Sequence, residues 1–338
     1  MSTISDVARA AGVSEATVSR ALRGLDQVNP RTRQRVLEAA RELSYVASPT
    51  AASLASGRTR VIGVVAPFVS RWFFASLLSG VEKTLREHDH HVLLFDLEAE
   101  SFDRRRPLTQ SMLWKRVDGV IALNIPMDDA EHLLLERLDL PVVTVGDYVP
   151  GWPCVRIDDL AAATLALNHL LSLGHRDIAF VGAVPEDAAH GAAPRARLAA
   201  YREGMAQHGL EVRPEWVVRS DWTADGAARD VEPLLRSRRR PTAILAASDE
   251  MAIGIMGAAH LAGLVVPRDL SVVGIDDHTL SGVLGLTTVR QDIDAQGRMA
   301  GHLLMQLLSQ QQTQPPAPVT TLPTELVVRN STAAPHHP

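Results

Sequence analysis

From residue 3 to residue 45 the apolar positions recur at intervals of three and four. Ile4, Val7, Ala8 and Ala11 share one face of a first helix, and Gly12 ends it. Ser14 is placed to cap a second helix whose inward face is Val18, Ala21 and Leu22. Only "GVS" lies between the two, the tight turn of a helix-turn-helix. Asn29 then caps a third helix opened by Pro30, with Val36, Ala39, Ala40 and Leu43 on one side. Three such helices close a miniature core.

The period changes after a stretch of small residues, "YVASPTAASLASGRTR", whose composition is that of a linker. Short β-branched runs now alternate with amphipathic helices. "VIGVVAPF" precedes a helix around 74–88, then come "HVLLFD", "DGVIAL" and "PVVTVG", each separated by a helix. The pattern restarts with "DIAFVG", a helix around 195–208, "WVVRSDW", "PTAILAASD" and "LSVVGIDD". Such alternation predicts parallel sheets covered on both faces, and two successive sets predict two lobes. The fold class is therefore α/β, with an all-α head on a two-lobed body.

Composition agrees with a folded globular chain: 338 residues, 46% hydrophobic and 22% charged, more than one ordinary core holds. The lone Cys154 excludes an intrachain disulfide framework and fits a reducing compartment. Asp6 and Arg9 interrupt the amino-terminal run, and no apolar stretch approaches a membrane span, so a cytoplasmic location is expected. The net charge of −5 hides an asymmetry. Residues 1–60 hold nine arginines against five acids, whereas the remainder holds 25 basic and 34 acidic side chains. A basic head on an acidic body suggests that the head meets a polyanion.

The second helix carries that charge usefully. Glu15, Ala16, Thr17, Ser19, Arg20 and Arg23 lie on its open side. Short side chains let a helix enter the DNA major groove, hydroxyls grip phosphates, and an arginine forks onto guanine.

In the body, ligand crevices of open α/β sheets lie off the carboxyl ends of strands. Those ends carry Phe68, Asp96, Asn124, Asp147, Asp221–Trp222, Ser248–Asp249 and Asp276–Asp277. Any single acid here commonly caps the next helix; the cluster suits a polyhydroxyl ligand, with acids accepting from hydroxyls and a ring covering a sugar's C–H face.

"TISDVARAAGVSEATVSRAL" followed by "VNPRTRQRVLEAARELSY" resembles the head of the lactose/galactose-repressor (LacI/GalR) family of bacterial transcription regulators, and the resemblance continues to about residue 330. It implies a helix-turn-helix domain over 1–46 and a hinge helix with linker over 47–60. It also implies a periplasmic-binding-protein-like body over 61–330, with two parallel sheets. The lobes are expected at about 61–158 with 289–320, and 159–288 with 321–330; residues 331–338 read as a disordered tail. The resemblance places Glu15, Ala16 and Arg20 at base-reading positions. Thr3, Ser14, Thr17, Ser19, Thr32 and Tyr45 fall at phosphate-holding positions. Arg23 stands where asparagine is usual. In the hinge, Ala51 is the small residue that lets two hinge helices meet, and Leu54 is the minor-groove wedge. Effector-contact positions fall on Phe73, Phe74, Asp158, Arg197, Trp222, Ser248, Asp276 and Gln291. Arg71 and Trp72 replace the more usual asparagine and proline. The implied partners are double-stranded DNA with a near-palindromic operator, a small sugar-type effector and a second copy of the chain.

An enzyme is the rival class, and the residues give it little. There is no G-x-G-x-x-G after a strand and no G-x-S-x-G elbow, and Lys83 and Lys115 are the only lysines. "HDHH" at 88–91 and the terminal histidines lack an ordered set of ligands. No cofactor, metal or catalytic residue is expected.

Overall fold

The computed structural model describes residues 2–22, 24, 26–45, 57–97, 105–183, 191–309 and 319–336. The chain divides into two compact units, Met1–Arg60 and Val61–Pro338.

In the first unit, helix α1 (Ile4–Ala11) begins at a capping box. Thr3 accepts from the Asp6 backbone while the Asp6 carboxylate accepts from the Thr3 N–H. Gly12 ends it in the left-handed region at φ 65°, where its N–H reaches back to the Ala8 and Arg9 carbonyls. Helix α2 (Glu15–Leu22) starts with the Thr17 N–H donating to Ser14 Oγ at 3.2 Å. Helix α3 (Pro30–Glu42) starts at Asn29, whose side chain accepts from the Arg31 N–H at 2.9 Å. The buried core among the described residues is all valine and alanine: Val7, Ala8, Ala11, Val18, Ala21, Val28, Val36, Ala39 and Ala40. Such short side chains bring three helix axes close without a large interior.

In the second unit, β1 (Val61–Ala66) is followed by α4 (Trp72–Glu87), β2 (His91–Asp96), α5 (Gln110–Leu113), β3 (Gly119–Leu123), α6 (Asp129–Arg137), β4 (Val142–Val145) and β5 (Cys154–Ile157). The chain then crosses to the second lobe with α7 (Asp159–Ser172), β6 (Ile178–Ala183), α8 (Ala192–Gln207), β7 (Val217–Arg219) and α9 (Ala224–Leu235). That lobe continues through β8 (Ala243–Ala246), α10 (Asp249–Leu261), β9 (Ser271–Asp276), α11 (Ser281–Leu284) and β10 (Thr287–Gln291). It returns to the first lobe with α12 (Ile293–Leu308) and β11 (Val319–Leu322), and ends on the second with β12 (Thr324–Val327).

The strand orders are β11-β5-β4-β3-β1-β2 and β12-β10-β9-β8-β6-β7. The first sheet is wholly parallel, while β12 runs antiparallel to β10, so the second sheet is mixed at one edge. The two sheets are parallel as expected, apart from that one edge strand. Pro323 alone separates β11 in the first sheet from β12 in the second, and β12 adds to the edge of the second sheet beside β10.

The lobe boundaries also move. β10 belongs to the second sheet up to Gln291, and the return begins at Asp292, which caps α12; the expected change at 288/289 is three residues early. The last crossing falls at Pro323 rather than after 320. In the first lobe, α12 packs on α4 closely enough that a Cβ on Gly297 would collide with the Leu77 carbonyl oxygen. The tail is not disordered as far as His336. Ser331 is buried, donating to the Val272 carbonyl at 2.6 Å and accepting from the Thr287 N–H at 2.8 Å. Small hydroxyls bridging strand ends, rather than apolar bulk, anchor it.

Candidate nucleic-acid interface and ligand cleft

In the head, helical periodicity turns Val18 and Ala21 inward and leaves Glu15, Ala16 and Arg20 exposed, with Thr17 and Ser19 half-buried at the edges of the same face. Ser14 is exposed beside it, its Oγ 2.9 Å from Thr17 Oγ1. Glu15 has a partner already: Ser5 Oγ donates to its carboxylate at 2.5 Å, which steers the side chain toward α1. Thr3 is tied into its capping box, and Thr32 and Tyr45 are half-buried on and after α3. Arg23, Ala51 and Leu54 lie outside the described residues.

In the body, strand carboxyl ends from both lobes converge on a cavity of ≈ 80 Å³. The first lobe contributes Arg71, Trp72, Phe73 and Phe74 from the start of α4, with Asn124 after β3 and Asp147 after β4. The second lobe contributes Gly191–Pro194 and Arg197 of α8, Trp222 after β7, Ser248 and Glu250 at the start of α10, and Asp276 at the end of β9. Asn124, Trp222 and Asp276 all have positive φ, at 47°, 66° and 136°. Non-glycine residues in such conformations are strained, and here the strain coincides with side chains aimed into one cavity.

Arg197 is the electrostatic centre. Its Nε donates to Asp159 Oδ1 at 2.8 Å, Nη1 donates to the Ala247 carbonyl, and Asp276 Oδ1 lies 3.8 Å from Nη1. Burial alone would lower its pKa, but the Asp159 and Asp276 carboxylates raise it further, so the guanidinium stays charged. Burial pushes Asp276 up to about 7, opposed by Arg197. Gln291 Nε2 donates to Asp276 at 2.6 Å and Gln296 Nε2 donates to Gln291 at 2.8 Å, a buried chain from the cavity floor to α12.

Direct contacts between described residues cross the cleft. Arg71 Nη2 donates to the Asp221 carbonyl at 3.3 Å while its guanidinium lies over Phe68 at 3.8 Å. Trp72 packs on His278 with ring centroids 4.3 Å apart. Asp147 accepts from the Ala192 N–H at 2.7 Å, capping α8 from the opposite lobe. Burial raises the Asp147 pKa, and its Oδ2 and Asn124 Oδ1 are buried without a hydrogen-bond partner. Two orphan acceptors on one wall call for a donor-rich guest. Ser248 Oγ accepts from the Met251 N–H at 3.3 Å, a cap that does not use its hydroxyl proton.

Phe73, Phe74, Arg197, Trp222, Ser248 and Asp276 thus line the cavity, and two expected contacts do not. Asp158 is exposed and caps α7 through the Ala161 N–H; its neighbour Asp159 is the carboxylate that reaches Arg197. Gln291 instead lines an open groove on the far side of Trp72 and Asp276. Asp147, Glu250 and Gly191–Pro194 were not singled out as contacts. Asp147 carried the signal of a strand-end acid; Glu250 and Gly191–Pro194 carried none. Among the described residues no cluster of histidine, cysteine and acids could hold a metal. Cys154 is buried, and burial raises its thiol pKa, the opposite of an activated nucleophile.

Residues 3–48 match the family described as bacterial regulatory proteins, lacI family, and residues 167–332 match a periplasmic binding protein-like domain. Catabolite control protein A of Priestia megaterium is 34% identical over 334 residues, covering 98% of this chain and 99% of that protein. The lac repressor dimer bound to operator and the anti-inducer ONPF superposes with a TM-score of 0.85 at 29% identity, covering 98% of this chain and 99% of that one. A complex of the transcriptional regulator CelR with cellobiose gives 0.70 at 30% identity, covering 98% and 100%. No helix of the described residues is long and apolar enough to cross a membrane. A helix-turn-helix head on a two-lobed cleft, matched along almost the whole chain, makes this protein a member of the LacI family.

Proposed function

We propose that the chain is a sequence-specific transcriptional repressor that acts in the cytoplasm as a homodimer, with operator affinity controlled by a small sugar-type effector. The observation that carries the reading is the end-to-end likeness to the operator-bound lac repressor, in a chain whose α2 presents Ala16 and Arg20 on an exposed face. Arg20 reads a guanine; Glu15 and Ala16 meet a cytosine amine and a thymine methyl. For Glu15 this requires release from Ser5. Thr3, Ser14, Thr17, Ser19, Thr32 and Tyr45 hold phosphates and fix the register. Arg23 adds a contact beside them, and Ala51 and Leu54 serve a hinge that bends the duplex. Two-fold symmetry of the dimer requires two half-sites in the operator.

The effector binds between the lobes, where Asn124 and Asp147 offer acceptors, Arg197 and Ser248 donors, and Phe73, Phe74 and Trp222 apolar faces. It shifts operator affinity by favouring one arrangement of the lobes. No catalytic step belongs to this reading, since the related proteins are regulators. Selection of bound duplexes from a random pool, followed by operator titration with a sugar panel, tests it. A near-palindromic consensus whose affinity one sugar changes is expected, and the direction of change assigns inducer or co-repressor. Indifference to every duplex at low salt would overturn the repressor, and a consensus insensitive to every sugar would overturn the effector.

A further inference from the structure

Trp72 lines two spaces at once. On one side is the cavity of ≈ 80 Å³; on the other is a groove of ≈ 770 Å³ bounded by Gln291, Asp292, Arg290 and Thr324. Asp276 is the other residue the two share. The indole reaches from the first residue of α4 in one lobe to His278 in the other, with centroids 4.3 Å apart. His278 is fixed from behind: its Nδ1 accepts from the Leu280 N–H at 3.0 Å, and its backbone N–H donates to the buried Asp249 carboxylate at 2.9 Å. The ring pair is therefore a wall with one rigid anchor.

From this we infer that Trp72 is a size-selecting partition that limits the effector to a single sugar ring. The inference rests on the cleft being the effector site. A cavity of about 150 Å³ holds one benzene, so an inner chamber of ≈ 80 Å³ has no room for a second sugar ring. The indole and Asp276 stand between that chamber and the groove. Without the indole the two chambers join, and a second ring extends past Asp276 toward Arg290 and Asp292.

The residue is well placed for substitution. Trp72 is the first residue of α4, and Arg71 before it has φ −82° and ψ 137°. That is the extended conformation required before proline, and proline is tolerated at the first helical position. Trp72→Pro thus removes the wall and keeps the helix start, while Trp72→Phe keeps an aromatic wall.

Titration calorimetry of the full-length protein with D-ribose, D-glucose and D-galactose against cellobiose and maltose decides the matter. The wild type and Trp72→Phe should take a single-ring sugar and reject both disaccharides. Trp72→Pro and Trp72→Ala should gain disaccharide affinity by about tenfold or more, about 1.4 kcal/mol. The partition is overturned if the wild type binds a disaccharide as tightly as its best single-ring sugar, or if neither wall-less variant gains. Acrylamide quenching of Trp72, read as the wild-type minus Trp72→Phe emission, needs no sugar and should increase in His278→Ala. Unchanged quenching overturns the partition even where the cleft binds sugar. If quenching behaves as expected but no sugar binds any of the four proteins, the size rule falls with the effector reading while the wall itself stands.

Discussion

The head and the body place their chemistry on opposite sides of their cores. In the head, nine buried valines and alanines support side chains that point outward, each addressed by its offset along one helix. In the body, the candidate contacts point inward to a space that neither lobe encloses alone, from elements as distant in sequence as Trp72 and Asp276. An outward face meets a large polyanion through many weak contacts and tolerates losing one. An inward site concentrates buried charge, so one lost partner strands another. The two regions should therefore answer mutation differently.

Arg197→Met provides the largest expected contrast. It removes a buried guanidinium and leaves Asp159 and Asp276 facing each other without a cation. Breaking a buried pair this way costs about 3–5 kcal/mol, and calorimetry should show it as a lower melting temperature of the body. Adding Asp276→Asn should restore part of the loss, because the stranded charge is then gone. A full additive loss in the double variant would mean that the pair is not coupled.

Asp276 also gives the body a pH signature. Its carboxyl is raised from the ordinary 3.8 to about 7 in the folded protein, mainly by burial. Between those values the folded state holds a proton that the unfolded state has lost, so stability falls as pH rises through about 4 to 7. Burial shifts Asp147 and Glu250 in the same direction, whereas the ion-paired Asp269, lowered to about 2, pulls the other way at lower pH, and His169, His175 and His278, lowered by burial from 6.5, pull the other way within the window. Measured from pH 4 to 8, the melting temperature of the wild type should fall relative to that of Asp276→Asn as pH rises through that window.

On the head, the effect moves from stability to affinity. Arg20 is exposed, so Arg20→Ala should leave melting unchanged while costing about 1–3 kcal/mol of operator binding and relaxing preference at one base pair. Thr17→Ala should weaken all duplexes alike. Competition binding against single-base operator variants separates the two, and uniform weakening by Arg20→Ala would reassign that side chain to the backbone.

This contrast also explains what was legible in the sequence. Helix caps and faces in the head follow from local rules, and Gly12, Ser14 and Asn29 act where those rules put them. The alternation of strands and helices in the body is equally local. Four strands, β5, β10, β11 and β12, escape that alternation, and all four sit next to the lobe crossings. Choosing Asp159 over Asp158 is beyond periodicity, because both begin the same helix and only the position of Arg197, 38 residues later, decides which faces inward. The positive φ values at Asn124, Trp222 and Asp276 were likewise invisible, since none is a glycine.

Thr3 supports the smallest effect and the finest distinction. Its hydroxyl donates to Asp6 Oδ2 at 2.8 Å and accepts from the Asp6 N–H at 3.3 Å, so the same oxygen proposed to meet a phosphate already closes a capping box. Thr3→Ala should lower head stability by about 1 kcal/mol through the cap alone. It should also weaken every duplex without changing the salt dependence, because a neutral hydroxyl releases no counterion. Asp6→Asn separates the roles. The Thr3 hydrogen bonds hold the Asp6 carboxyl below its ordinary value, so the box is charged at neutral pH, and the amide weakens it. Stability should then fall, yet removing a negative charge beside the duplex and loosening the hydroxyl should strengthen DNA binding. Opposite signs in Asp6→Asn, with equal signs in Thr3→Ala, would establish the phosphate contact. If both variants lose stability and neither changes affinity well below the melting temperature, Thr3 serves only as a cap.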